Sequence, residues 1–268
     1  MVCNFSPVAF RVFGFPIHWY SFAYIFGIIF AFKLTEFLMK KSDYNMDWKL
    51  LDDFVGVVVF GIILGGRLGH VLFYDPGFYW RDPVEIFKIW NGGMSFFGGF
   101  IGIILATYWF CKKHHLNFLS FIDHWSVGAP IGLFFGRIAN FINGELLGKP
   151  SSGIAWNVVF GDGIPRHPSQ IYEAILEGIV LFLIMVFAFY KKQYKFNGRL
   201  SGIFCLGYGI NRFIGECFRM PDSLFSWDLF FSTGINLNQY FCFAIMALGV
   251  FLIYRSSVNE IVTTSGKD

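Results

Sequence analysis

Long apolar runs alternate with short polar connections along this chain. A helix that crosses a membrane needs about 20 mostly apolar residues, and about seven such stretches are present. They cover residues 19–38, 51–73, 92–110, 118–143, 170–190, 201–218 and 239–254. Their apolar residues do not recur with the period that is typical of an amphipathic helix in a soluble protein. The pattern predicts an all-α integral membrane protein with about seven transmembrane helices, in one polytopic domain over residues 1–268.

Lysine and arginine are concentrated in alternate connections. The connections after the first, third and fifth stretches and the tail carry Lys40, Lys41, Lys49, Lys112, Lys113, Lys191, Lys192, Lys195, Arg199, Arg255 and Lys267. The positive-inside rule therefore predicts a cytoplasmic C-terminus and an outside N-terminus. The first ten residues contain no lysine or arginine, so they lack the basic start of a cleavable signal. We expect the first stretch to remain as a membrane anchor.

One connection, residues 144–169, is longer than the others. It contains Pro150, the turn pair Asp162 and Gly163, and Pro165, around a strand-like segment at residues 154–160. Connections of this length are usually functional or disordered. The β-prone centre predicts a small folded extracytoplasmic cap between the fourth and fifth spans.

Composition narrows the function classes. Hydrophobic residues make up 55% of the chain and charged residues 15%, against roughly 25% in soluble domains. The net charge of +3 is small and forms no basic stripe, which argues against a nucleic-acid partner. The five cysteines form no CxxC pair and show no metal-ligand spacing, so packing is their expected role.

Charged residues within the apolar stretches carry the candidate chemistry, because each costs roughly 2.5–3.5 kcal/mol at the bilayer centre. In the fourth stretch, Arg137, Asn140 and Gly144 share one helical face, and Glu145 follows. Arginine donates two parallel hydrogen bonds to a phosphate, so this face suits an anionic headgroup. The alternative is that Arg137 pairs with a glutamate and pins two helices.

A second polar group lies at the end of the sixth stretch. Arg212 and Glu216 are four residues apart on one face, and Arg219 and Asp222 follow them. Mutual neutralisation is a sufficient explanation for Glu216. It does not explain two arginines and an aspartate gathered at the exit from the membrane.

Two weaker strings complete the set. Residues 92–99 begin the third stretch with two glycine pairs, which allow unusual backbone torsions and exposed amides beside a ligand. Residues 166–173 contain Pro168 and Ser169, which read as the capped entry to the fifth stretch.

In this order and on this hydropathy profile, these strings resemble the bacterial prolipoprotein diacylglyceryl transferases. The similar strings are Gly136-Arg137-x-x-Asn140-Phe141-Ile142-Asn143-Gly144-Glu145, Arg166-His167-Pro168-Ser169-Gln170-x-Tyr172-Glu173, Tyr208-Gly209-x-x-Arg212-x-x-x-Glu216-x-x-Arg219-x-Pro221-Asp222, and His18-Trp19-Tyr20. The resemblance covers nearly the whole chain and includes seven spans with the N-terminus outside.

The resemblance implies a transferase reaction. A diacylglyceryl group would pass from phosphatidylglycerol to the lipobox cysteine of a prolipoprotein, forming a thioether and releasing glycerol 1-phosphate, in the first step of lipoprotein maturation. The implied partners are phosphatidylglycerol, the prolipoprotein signal peptide with its lipobox, and the lipid bilayer. The implied location is the bacterial cytoplasmic (inner) membrane, and no cofactor or metal is implied.

The resemblance also implies roles for individual residues. Arg137 would bind the lipid phosphate, Asn140 and Glu145 would shape the headgroup site, and Arg212 with Glu216 would lie at the reacting centre. The expected catalytic residues are Arg212, Glu216, Glu145 and Tyr20. The expected substrate-binding residues are Arg137, Asn140, Asn143, Gly144, His167, Tyr208, Arg219, Gly98 and Gly99.

One position departs from the family pattern. Relatives commonly have histidine where this chain has Phe97, and histidine would be the natural base for a thiol of ordinary pKa, about 8.5. Either Glu145, Glu216 or His167 takes the proton, or the field of the arginines lowers the thiol pKa. A homologue without activity is a third interpretation, which the other intact motifs disfavour. Asn238 also departs from the family pattern, and we expect no catalytic consequence from it.

Two other classes of protein compete with an enzyme. A transporter of anionic solutes also uses arginines within the membrane, but it predicts internal repeats or two corresponding broken helices, which the sequence lacks. A scaffold protein would not need arginines and glutamates in three separate spans.

Overall fold

The computed structural model describes residues 2–3, 5–12, 15–42, 44, 46, 49–73, 76–221 and 233–265. Helices dominate it. We number them α1 (Trp19–Lys41), α2 (Lys49–Phe73), the short α3 (Pro76–Arg81), α4 (Phe96–Lys113), α5 (Phe118–Asn143), α6 (Ser169–Tyr190), α7 (Arg199–Glu216) and α8 (Leu237–Ser265). Two antiparallel strand pairs accompany them, β1 (Val8–Val12) with β2 (Phe15–His18) and β3 (Val158–Val159) with β4 (Pro165–Arg166).

Within the described residues, five helices are long and apolar enough to cross a membrane: α1, α2, α5, α6 and the part of α8 from Leu237 to Val258. They coincide with five of the predicted stretches. The mostly helical membrane character is therefore confirmed, and the chain is a multi-pass membrane protein. The pairing of β1 with β2 ahead of α1 was not predicted.

The chain forms two compact units, which are described separately. In the small unit, Asp43–Phe121, α2 packs against α4 through glycines. A Cβ atom on Gly65 would lie 2.8 Å from the Cα of Gly102, and one on Gly69 would lie 2.7 Å from the Cα of Gly98. Such distances leave no room for a side chain. The row of small residues is thus explained by close backbone approach.

Arg67 organises the segment that precedes α4, and it was not among the predicted residues. Its side chain is buried and donates to the backbone carbonyls of Ile86, Gly92, Gly93, Glu85 and Lys88. The glycine-rich segment before α4 is held in place by these bonds. Gly92 and Gly93 have φ values of 83° and 76°, which favour glycine, as predicted for this segment.

The large unit contains α1, most of α5, α6, α7 and α8. Its apolar core includes Leu38, Val127, Leu181, Met185 and Leu200. A buried carboxylate of α5 accepts hydrogen bonds from the first residues of α7. Asp123 accepts hydrogen bonds at 2.7 Å from the backbone amides of Gly198 and Ser201 and from the Ser201 hydroxyl.

Asp123 therefore caps α7 from a neighbouring helix, and we expect Asp123→Ala to lower the free energy of unfolding by about 2–3 kcal/mol, because hydrogen bonds to an ionised group are lost. Asp123→Asn keeps one acceptor oxygen and should lose less. Thermal unfolding of the purified protein in detergent measures both. Equal losses in the two variants would contradict the capping role.

Candidate active site

The end of α5 turns Glu145 back over the helix. Gly144 adopts φ of 65°, the left-handed conformation that favours glycine. The Glu145 amide donates to the Asn140 carbonyl at 3.0 Å, and the Gly144 amide donates to Phe141 at 3.1 Å. These two bonds form a Schellman motif, which satisfies carbonyls at the helix end. The Glu145 side chain consequently returns to the face that carries Asn140.

Four predicted residues meet at this turn. The Tyr20 hydroxyl, at the start of α1, donates to Glu145 Oε2 at 2.7 Å and accepts a hydrogen bond from the Asn140 amide. The Asn143 amide donates to Glu145 Oε1 at 3.4 Å. Glu145 is exposed. The structure thus gathers a carboxylate, a phenol and two carboxamides at the end of the fourth predicted span.

Helix α6 brings two glutamates into the interior. Its first turn is fixed by Ser169, whose hydroxyl donates to the Leu146 carbonyl, and by Gln170, whose amide donates to the Glu145 carbonyl. The segment Ala174–Val180 then winds as a π-helix. Such bulges occur frequently at functional sites. Glu173 precedes the bulge and Glu177 lies within it, and both side chains are fully buried.

These glutamates bridge two of the predicted arginines. Arg137 of α5 lies 3.1 Å from Glu173 and 3.0 Å from Glu177. Arg212 of α7 lies 3.1 Å from Glu173 and 3.3 Å from Glu177, and it also pairs with Glu216 on its own helix. Three helices therefore meet at one ionic cluster. Arg137 and Arg212 therefore point toward the same pair of glutamates and not toward opposite sides of the large unit.

Arg219 extends the cluster toward the chain beyond α7. It lies 3.6 Å from Glu173 and 3.8 Å from Glu216. Glu216 also accepts hydrogen bonds from Asn236 at 2.9 Å and Asn238 at 3.3 Å. Asn238, to which sequence analysis gave no role, therefore touches the cluster. Asp222 of the same motif lies outside the described residues.

The charges of the cluster balance. Three arginines, Arg137, Arg212 and Arg219, face three glutamates, Glu173, Glu177 and Glu216. Arg137 therefore does form the ion pairs between two helices that the alternative interpretation predicted. One donor group is left over. In the described part of the chain, Arg137 Nη1 has no hydrogen-bond partner, and 13% of the Arg137 side chain remains exposed.

The remaining predicted residues are placed differently. Tyr208 lies close enough to Arg137, Arg212 and Glu177 to interact with them electrostatically. The His167 ring packs with Tyr172 and Phe218, with ring centroids 6.0 and 5.3 Å away, and no described contact joins it to an arginine.

Two further predicted residues, Gly98 and Gly99, belong to the small unit, where Gly98 packs closely against α2. The side chain of Phe97 is outside the described residues. The substrate-binding roles of the two glycines stay predictions.

The segment between α5 and α6 is tied to the cluster. Gly148 pairs with Arg219 in an isolated β-bridge, and the buried Arg166 donates to the Gly148 carbonyl at 3.1 Å. Arg166 also pairs with Asp162 at 2.6 Å, and this hydrogen bond lowers the pKa of the Asp162 carboxyl. Only Val158–Val159 of the predicted strand 154–160 is in a strand. Among the described residues, no group of three metal-ligating side chains is present.

The two glutamates of α6 were not predicted as site residues. Glu173 appeared only as the last letter of a motif, and Glu177 was not considered. A signal was available, since two glutamates four residues apart in an otherwise apolar span require cationic partners. The π-helical winding of Ala174–Val180 was not predicted.

The chain is similar to proteins of a known family. The model of the family described as prolipoprotein diacylglyceryl transferase matches residues 7–255. Proteins named phosphatidylglycerol--prolipoprotein diacylglyceryl transferase are similar to the chain over 96% of its length. They include a Zymomonas mobilis protein, 43% identical over 92% of its own length, and proteins of Rickettsia bellii and Polynucleobacter asymbioticus, each 42% identical over 98% of its own length. The chain therefore belongs to the prolipoprotein diacylglyceryl transferase family.

Proposed function

We propose that this chain transfers the diacylglyceryl group of phosphatidylglycerol to the lipobox cysteine thiol of prolipoproteins. The products are a thioether-linked lipid and glycerol 1-phosphate, and the reaction is the first step of lipoprotein maturation. The names of the relatives support the reaction class. The observation that carries the proposal is a buried three-helix cluster of arginines with one unused donor edge on Arg137.

The unused edge of Arg137 is suited to the lipid phosphate. Its Nη1 group is free of described partners, while Glu173 and Glu177 hold the other side of the guanidinium. A fixed guanidinium loses little freedom when it binds, and its planar donors match phosphate oxygens. The C-terminal end of the same helix carries Asn140 and Asn143, and Gly144 follows it. These residues would shape the headgroup site.

Arg212, Glu216, Arg219 and Tyr208 form the proposed reacting centre. Sulfur attacks an sp³ carbon bonded to a phosphate oxygen, so negative charge accumulates on the departing phosphate. Preorganised guanidinium groups stabilise that charge without reorganising during the reaction. The glutamates fix the arginines in this arrangement. Proximity of lipid and peptide in one site supplies further acceleration.

The proposed membrane arrangement extends the five candidate spans to seven. Helices α4 and α7 have 18 residues each, a length of about 27 Å, close to the hydrocarbon thickness. Lysine and arginine placement supports an outside N-terminus and a cytoplasmic C-terminus. Residues 144–169 would be an extracytoplasmic cap beside the site, with His167 contacting substrate. A family match over residues 7–255 supports one functional membrane domain, in the bacterial inner membrane.

The reaction is tested with the purified protein in detergent. Phosphatidylglycerol and a synthetic lipobox peptide should yield a diacylglyceryl peptide and free glycerol phosphate in equal amounts, detected by mass spectrometry and an enzymatic glycerol phosphate assay. A peptide with serine in place of cysteine, and phosphatidylethanolamine in place of phosphatidylglycerol, are the controls. Folded protein that gives no product, or that transfers a single acyl group, would contradict the proposal.

A further inference from the structure

The proposed reaction needs an acceptor for the thiol proton, and the structure separates the three candidates. A thiol of ordinary pKa, about 8.5, is mostly protonated at neutral pH. As the sulfur–carbon bond forms, that proton must leave the sulfur. The candidate acceptors in the sequence are Glu145, Glu216 and His167.

Glu216 serves as a counter-ion inside the buried cluster. Its side chain is fully buried, it pairs with Arg212 and Arg219, and it accepts hydrogen bonds from Asn236 and Asn238. A proton placed on Glu216 would remove one of the three negative charges and would leave three buried arginines facing two carboxylates.

His167 is in contact with other groups. Its Nδ1 lies 3.4 Å from the Tyr172 hydroxyl, and its ring packs against Phe218. No described contact joins the ring to Arg137, Arg212 or the glutamates. A group that takes the thiol proton must be within hydrogen-bond reach of the sulfur, which itself lies beside the departing phosphate. The described contacts do not place His167 there.

Glu145 differs from both. In the described part of the chain it forms no ion pair, and its donors are neutral: Tyr20 at 2.7 Å, Asn143 at 3.4 Å and Asn140 at 3.5 Å. A proton on Glu145 therefore takes no counter-ion from the described arginines, whereas a proton on Glu216 does. Its exposure also lets it return the proton to water.

The surroundings of Glu145 connect it to the phosphate site. Asn140 is one turn from Arg137 on α5, so the carboxylate and the free guanidinium edge belong to one helix end. Tyr20 and Tyr24 of α1 lie near enough to interact electrostatically with both Glu145 and Arg137, while the Gln170 amide of α6 donates to the Glu145 backbone carbonyl. A peptide arriving from outside would meet Glu145 before it meets the buried cluster.

The geometry points to Glu145 as the general base that takes the thiol proton, with Tyr20 as a positioning residue, an inference that rests on the proposed function. The sulfur–carbon bond forms as the carbon–oxygen bond to phosphate breaks. The proton moves to Glu145, and the electron pair of the broken bond leaves on glycerol phosphate. Ordinary glutamate and cysteine pKa values differ by about four units, so the proton transfer accompanies bond formation and does not precede it.

Glu145→Gln tests this role because it keeps the side-chain shape and removes the base. With a cysteine peptide at pH 7, kcat should fall about 10²-fold to 10⁴-fold, with an unchanged KM for phosphatidylglycerol. The residual rate should rise with pH up to about 8.5, as the thiolate fraction grows. The wild-type rate should depend on pH less steeply over the same range. Glu36→Gln, which removes a carboxylate at the far end of α1, is the matched control and should keep full activity.

A selenocysteine peptide separates a base from a structural residue. Its selenol is more acidic than a thiol and needs no base at neutral pH, so the loss in Glu145→Gln should shrink to about tenfold or less with this substrate. Equal losses with both peptides, or full activity of Glu145→Gln with cysteine, would overturn the inference. Failure of the wild-type protein to modify either peptide would instead overturn the proposed function.

Discussion

Arg212→Ala is expected to lower kcat for diacylglyceryl transfer by about 10³-fold or more. Removal of a single preorganised donor from a developing negative charge typically costs about 10²-fold to 10³-fold. Arg212 supplies a full charge, and it also contacts Glu173, Glu177 and Glu216, so its loss disturbs the rest of the cluster. Product formation per unit of folded protein, with thermal unfolding measured in parallel, checks the prediction.

Two variants separate charge from architecture. Arg212→Lys keeps the positive charge but cannot span Glu177 and Glu216 with one planar group, so we expect a stable protein whose kcat is still reduced, by about 10²-fold. Arg199→Ala is the matched control on the same helix. Arg199 donates to Ser256 and Ser257, about 20 Å along α7 from Arg212. Activity of Arg212→Ala equal to wild type would show that the reaction occurs elsewhere.

The sequence predicted the membrane helices well because one physical requirement decides them. Apolar length is read directly from the residues, and helices α1, α2, α5 and α6 begin and end within a few residues of their predicted limits. The left-handed turn at Gly144 also has a local cause, since a glycine after a helix end favours this conformation.

Partners across helices were less predictable. The spacing of Arg137, Asn140 and Glu145 showed that they share a helix end, but it could not show that Tyr20, 125 residues from Glu145, would complete the group. That contact depends on how α1 packs against α5. The family resemblance supplied Tyr20, whereas neither pattern nor resemblance identified Glu177 or the donation from Asn238 to Glu216.

Glu173→Gln is expected to lower the free energy of unfolding by about 3–5 kcal/mol, because it leaves an uncompensated positive charge in the buried cluster. Glu173 lies within 3.1 Å of Arg137 and Arg212 and 3.6 Å of Arg219. The variant leaves three arginines to two carboxylates and points an amide donor at them. The midpoint of thermal unfolding should fall by roughly 10 °C. Differential scanning fluorimetry in detergent measures this shift.

Glu36→Gln gives the comparison with a carboxylate that is 23% exposed and lies outside the cluster. Glu36 pairs with Lys33 and Lys40 on the surface of α1, and loss of such exposed pairs should cost less than about 1 kcal/mol. A Glu173→Gln protein as stable as Glu36→Gln would mean that Glu173 does not neutralise the arginines.

A double variant distinguishes charge from packing as the cause. Glu173→Met alone leaves the arginines in excess, whereas Glu173→Met with Arg219→Met removes one charge of each sign and restores the balance. Buried ion pairs replaced by apolar residues of similar volume often cost little stability. We therefore expect the double variant to be more stable than Glu173→Met, with a coupling energy of about 1–3 kcal/mol. If the close contact between Glu173 and Gly215 determined stability instead, adding Arg219→Met would recover nothing.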